Sequence, residues 1–300
     1  MNIITNLQDM IPFIPHIKKG KYNKDIGTFI LIGGSSYKCI QFDKFNVDKK
    51  DKFYRKFNYE VEYPNIDFQT RLSKKSTTFS FDRPTDILNH NLYSGDNYKN
   101  IYIASLKDLT IKNYSEFLHN LFNYYKLKPP YVFIVMSEGG YDVLSFSKYY
   151  PKLIKQIYFI DTPFLGKYIV MFEKFRGNIE WYKNVIEKKF SWNSNNKINL
   201  KDKKMLEQID VYNFEIKTHN IINKLKIDDF PKNIPIIILW SPYYDTATKI
   251  SKDKVNIIKN MNKKLNEHEN ITCLFMNAPH QIERVIPITL SKFIINTTIK

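Results

Sequence analysis

The chain has 300 residues, 43% of them hydrophobic and 25% charged. That length suits one large α/β domain with its own core, or two smaller domains, and the balance argues against wholesale disorder. The net charge of +16 invites a polyanionic partner, but lysine, asparagine and isoleucine are abundant throughout, as an AT-rich coding bias would produce. The densest basic stretch, VDKKDKFYRKF (47–57), is broken by acids and carries no nucleic-acid motif.

Along the chain, short apolar runs alternate with amphipathic stretches. TFILIGG (28–34), TTFSFDRP (77–84), YVFIVMS (131–137), IKQIYFIDTP (154–163), IPIIILWSP (234–242) and ENITCLFMNAP (269–279) read as buried strands. Strands apolar on both faces, separated by helices, predict a mostly parallel sheet covered on both sides. Residues 107–127 place Leu109, Tyr114, Phe117, Leu118, Leu121, Phe122 and Tyr125 near one face of a helix. A second helix over 140–150 starts at two glycines and stops at Pro151. The last, near 284–296, contains Pro287, which makes its first turn irregular. Residues 38–68 break the alternation and read as an insertion. Residues 164–230 are too long for a simple crossover and read as a separate helical subdomain. The core is therefore expected in two parts, 1–163 and 231–300.

Several absences narrow the expectation. Cys39 and Cys273 have no metal-binding or redox spacing and are expected as free thiols in a reducing compartment. No histidine pair has HExxH spacing, so no metal is expected. The N-terminal residues lack an apolar signal-peptide core and no run is long enough to span a bilayer. A soluble protein, cytoplasmic or otherwise intracellular, is the expectation.

Four segments concentrate chemistry. In YVFIVMSEGGYD (131–142) a buried strand runs into Ser137, followed by Glu138, Gly139 and Gly140. A serine hydroxyl needs a base to become a nucleophile and needs a sharp corner to meet substrate. The glycines make room for that corner, and the following helix aims N–H groups at a developing oxyanion. Val135 stands where the G-x-S-x-G pattern has its first glycine. An ordinary strand–helix turn is the competing reading. In LIGGSS (31–36), Gly33 and Gly34 permit close backbone approach, and the Ser35 and Glu138 amides are the candidate oxyanion hole. A phosphate loop would need GxxxxGK[ST] or GxGxxG, and neither is present. His280, in NAPHQIER, is the one histidine in a loop directly after a core strand. A base histidine needs a carboxylate to fix its tautomer. Asp245, in LWSPYYDTAT, is the first candidate and Asp161, in FIDTP, the second. Both leave the carboxyl end of a core strand, where open α/β sheets build their sites.

VMSEGGYDVLSFSKYYPKLIKQIYFIDTP resembles the nucleophile elbow, helix and next strand of the α/β-hydrolase superfamily. FSFDRPT resembles its strand-four turn, ILWSPYYD its acid loop, NAPHQIER its histidine loop, and LIGGSS occupies the oxyanion segment. The resemblance covers about residues 26–163 and 231–296, with 164–230 where the superfamily carries a variable helical cap. It implies an α/β-hydrolase fold with Ser137 as nucleophile, His280 as base, Asp245 as its acid, and the Ser35 and Glu138 amides as oxyanion hole. It implies cleavage of an ester, thioester or amide with no cofactor. The stretches FLGKYIVMFEKF, IEWYKNVIEKKFSW and VYNFEIKTHNIINKL are rich in Phe, Tyr, Trp and Ile and point to a small-molecule substrate with a hydrophobic acyl or alkyl part; no motif points to a specific nucleic acid and no run to a membrane span. Glu138 is expected to turn its side chain into solvent or onto the loop. Val135, and Pro279 before the histidine, depart from the superfamily pattern. They motivate the alternative of a non-catalytic binding protein on the same fold.

Overall fold

The computed structural model describes residues 2–4, 6–34, 38–44, 62, 66–84, 101–103, 110–162, 180, 184, 230–243, 252–265 and 267–298. The expected cap (164–230) and most of the 38–68 insertion lie outside these residues.

Among the described residues, nine strands form two sheets. A short parallel pair joins β1 (Asn2–Ile4) to β5 (Ile101–Ile103). The main sheet has seven strands in the order β2 (His16–Lys19), β4 (Thr78–Phe81), β3 (Thr28–Ile32), β6 (Tyr131–Met136), β7 (Ile154–Ile160), β8 (Ile236–Trp240) and β9 (Ile271–Phe275). All neighbours pair in parallel except β2, which runs antiparallel to β4 at the edge. The six predicted strands are all present. The edge strand β2, HIKK, was missed because four half-polar residues carry no run of hydrophobicity.

Strand alternation divides the core into two. Ile30, Ile32, Phe133, Val135, Phe159 and Ile238 face one layer; Phe29, Leu31, Val132, Ile134, Tyr158 and Leu239 face the other. The first layer is closed by α3 (Ile111–Tyr124) and α4 (Gly139–Tyr149), through Phe117, Leu118, Leu121, Phe122, Val143 and Phe146. The second is closed by α1 (Ile40–Lys44), α2 (Phe68–Ser73), α6 (Ile282–Val285) and α7 (Pro287–Thr298), through Phe42, Phe68, Leu72, Ile282, Leu290 and Ile294. Every side chain of β6 is buried, as a central parallel strand requires. Burying each such large apolar side chain contributes about 1.5–3 kcal/mol. A further helix, α5 (Lys252–Leu265), lies between β8 and β9 in the chain.

Local signals set the helix starts. Thr110 caps α3 by accepting from the Asn113 amide at 3.1 Å, and Asp67 caps α2 by accepting from the Thr70 amide at 2.7 Å. Pro287 does more than disturb a first turn: α6 ends at Val285 and α7 begins on the proline itself. The orphan amides of α7 meet Glu62, whose carboxylate accepts from Ile288 at 2.5 Å and Thr289 at 3.1 Å. Glu62→Ala is expected to lower stability by about 1 kcal/mol with α7 the first element to lose amide protection. Unchanged unfolding midpoints in urea would reject that role.

Candidate active site

The parallel register brings the carboxyl ends of β3, β6, β7 and β8 level. Ile32 pairs with Val135, Met136 with Ile160, and Ile160 with Leu239. The next residues out are therefore Gly33, Ser137, Asp161 and Trp240–Ser241. Adjacent strands lie about 4.8 Å apart, so Ser137 and Asp161 are neighbours at one corner of the sheet.

Ser137 has φ +46° and Asp161 has φ +43°. The left-handed region costs an L-residue about 1–2 kcal/mol, and such strain concentrates at functional sites. Backbone hydrogen bonds hold both corners. The Ser137 amide donates to Ile160 at 3.0 Å, and the Asp161 amide donates to Leu239 at 2.7 Å. Ser137 is partly exposed, while Met136 and Glu138 on either side are buried. α4 begins immediately afterwards at Gly139.

Glycines make the corner possible. A Cβ on Gly34 would lie 2.7 Å from Ser137 Cβ and 3.2 Å from its Oγ. A Cβ on Gly139 would lie 2.5 Å from the Gly33 carbonyl oxygen and 2.8 Å from that of Ile32. One on Gly140 would strike the Thr162 side chain at 2.4 Å. Gly34, Gly139 and Gly140 thus relieve the crowding between β3, the elbow and β7. Val135 faces the core layer under α3 and α4, fully buried between Ile32 and Phe159. It occupies a strand position rather than the corner.

His280 meets Asp161. Its Nδ1 lies 2.6 Å from Asp161 Oδ2, with the aspartate side chain 3% exposed and the imidazole 22% exposed. The other carboxylate oxygen accepts from the Ser241 amide at 3.0 Å. A carboxylate only accepts, so this contact puts the proton on Nδ1 and leaves Nε2 as the acceptor of the neutral ring. The histidine loop is tied down by Tyr243, whose hydroxyl donates to Asn277 Oδ1 at 2.9 Å and whose amide donates to Ser241 Oγ at 3.1 Å. Of the two acids the sequence offered, the one on His280 is therefore Asp161, the second candidate. Asp245 lies outside the described residues, as does Ser35.

Glu138 is buried rather than turned to solvent: the residue is 5% exposed, with Oε2 3.7 Å from Arg83 Nη1. Arg83 also reaches Asp142, through Nε at 2.9 Å and Nη2 at 3.3 Å, and the Tyr114 hydroxyl donates to the same carboxylate at 2.9 Å. The sequence signal for this group was present in the DRP turn after β4 and the acid one helical turn beyond Glu138. Its meaning needed the tertiary contact.

Neither thiol is primed for nucleophilic work. Burial, reinforced by the nearby Asp82 carboxylate, pushes the Cys39 thiol far up, and burial pushes Cys273 up to about 11. Among the described residues no cluster of histidine, cysteine, aspartate and glutamate could hold a metal, and no helix is long and apolar enough to cross a membrane.

No protein-family model matches this chain, and no curated protein matches it in sequence. Solved structures do. A thermophilic esterase from Thermogutta terrifontis superposes with a TM-score of 0.55 at 13% identity, covering 96% of this chain and 94% of that one. This chain has the α/β-hydrolase fold. An α/β-hydrolase enzyme from a Medee basin deep-sea metagenome library gives 0.52 at 14% identity, covering 94% and 93%. The AqdC variant that recognises and ring-cleaves the Pseudomonas quinolone signal gives 0.55 at 10% identity, covering 95% of each chain. At these identities the likeness speaks to fold alone.

Proposed function

We propose that this chain is a serine hydrolase that cleaves an ester, thioester or amide through Ser137, His280 and Asp161. The observation that carries the reading is the His280–Asp161 contact of 2.6 Å, beside a serine held at φ +46° on the adjacent strand end. The Thermogutta terrifontis esterase among the structural neighbours is consistent with it.

In the proposed reaction His280 Nε2 takes the Ser137 proton as Oγ bonds to the substrate carbonyl carbon. Asp161 holds the imidazole in orientation and steadies its positive charge. The tetrahedral oxyanion forms at the start of α4, where the Glu138 amide and the helix N-terminus supply positive potential. Ser35 is proposed as the second amide donor. His280 then returns the proton to the leaving group, giving an acyl-enzyme that water opens by the same steps in reverse. A small substrate with a hydrophobic acyl or alkyl part is proposed, with residues 164–230 as the cap over it.

Labelling with a fluorophosphonate probe tests this. Wild type is expected to label at one site, with Ser137→Ala unlabelled and His280→Ala slowed by about 10³-fold or more, all folded by circular dichroism. A folded wild type that does not label would replace this reading with the non-catalytic one.

A further inference from the structure

We infer that Arg83 is a positioning residue for the nucleophile: it holds the Glu138 carboxylate away from the oxyanion position and locks the start of α4 to β4 and α3. The inference rests on the serine-hydrolase reading above. Glu138 follows the nucleophile directly, and its amide lies at the helix start where negative charge would develop. A carboxylate on that same residue opposes the oxyanion unless something holds and neutralises it.

Arg83 does both. It leaves the carboxyl end of β4 two residues after Phe81 and is 3% exposed. Its planar fork gives Nε and Nη2 to the two oxygens of Asp142, and turns Nη1 towards Glu138 Oε2. Asp142 lies in the first turn of α4 and is 1% exposed. Tyr114, from α3, donates to the Asp142 oxygen that also accepts from Arg83 Nε. One guanidinium therefore joins a strand end and the first turn of the nucleophile helix, with α3 added through the shared carboxylate. Buried carboxylates without a counter-charge are expelled or protonated, and either outcome would move the amide that the oxyanion needs. The positive N-terminus of α4 favours both acids, but that potential is also what the oxyanion draws on. Arg83 leaves more of it for the reaction.

The test measures second-order fluorophosphonate labelling rates, which need no known substrate, with folding checked by circular dichroism and thermal denaturation. Arg83→Met is expected to label about 100-fold more slowly than wild type, at the lower end of the range seen for loss of one oxyanion donor. Adding Glu138→Gln to Arg83→Met is expected to recover at least about tenfold of that loss, since the uncompensated charge is gone. Arg83→Lys, which keeps the charge without the fork, is expected to fall between Arg83→Met and wild type. Should Arg83→Met be poorly folded, the triple variant Arg83→Met, Glu138→Gln, Asp142→Asn removes every charge and carries the test, with labelling expected within about tenfold of wild type. A folded Arg83→Met that labels at the wild-type rate, or is not helped by Glu138→Gln, would overturn the role of Arg83 alone. A wild type that fails to label would instead remove the serine-hydrolase reading, and this inference with it.

Discussion

Asp161→Asn is expected to slow fluorophosphonate labelling of Ser137 by about 10³–10⁴-fold, while Asp245→Asn leaves it within a few-fold of wild type. The asymmetry follows from where the histidine is held. His280 Nδ1 is 2.6 Å from Asp161 Oδ2, and the opposite oxygen is fixed by the Ser241 amide at 3.0 Å. An asparagine in that site keeps its carbonyl oxygen on Ser241 and turns its NH₂ towards the ring. Nδ1 must then accept, the proton moves to Nε2, and the nitrogen that should take the serine proton no longer can. The backbone is not expected to change, because asparagine tolerates the left-handed φ of +43° that this corner requires. Thermal midpoints should therefore stay close to wild type while labelling collapses. The reverse pattern, with Asp245→Asn inactive and Asp161→Asn active, would reassign the acid.

Gly139→Ala is the second large effect, and it acts through the backbone. The new Cβ would sit 2.5 Å from the Gly33 carbonyl oxygen and 2.8 Å from that of Ile32. Ile32 ends β3 and Gly33 follows it directly, and β3 is paired along its length with β6 and β4, so they cannot step aside cheaply. α4 must retreat instead, and Ser137 and the Glu138 amide move with it. Overpacking of this kind costs about 1–3 kcal/mol of stability. A displacement approaching 1 Å costs about 10²-fold in reactivity. The variant is therefore expected to fold with a lowered thermal midpoint and to label at least about 100-fold more slowly. Gly34→Ala presses on the Ser137 side chain itself, at 2.7 Å from its Cβ, and should slow labelling with a smaller loss of stability. Wild-type labelling in a folded Gly139→Ala would mean that the elbow does not depend on this close approach.

Much of this arrangement was legible in local pattern. YVFIVM is apolar at every position because both faces of a central parallel strand are covered, and a serine followed by two glycines marked the corner. Val135 looked like a defect when matched against G-x-S-x-G, yet it sits in the core layer, and Gly34, just beyond the end of β3, supplies the missing space. That substitution between distant positions has no signature in a single chain. The acid shows the same limit. Asp161 and Asp245 both follow apolar strands, and local pattern ranks them only by loop shape. Which of them reaches His280 is a question of strand order.

What the sequence by itself determined is the α/β alternation, the buried strands, and a serine, a histidine and two acids at strand ends. These follow from hydrophobic period and turn chemistry, which act over a few residues. Tertiary structure alone decided that Asp161 holds His280 and that Glu138 is drawn to Arg83. It also decided that β3 lends its glycine to the β6 corner. Those contacts join residues 55 to 119 positions apart, and the parallel register of β4, β3, β6, β7, β8 and β9 is what carries them to the same edge.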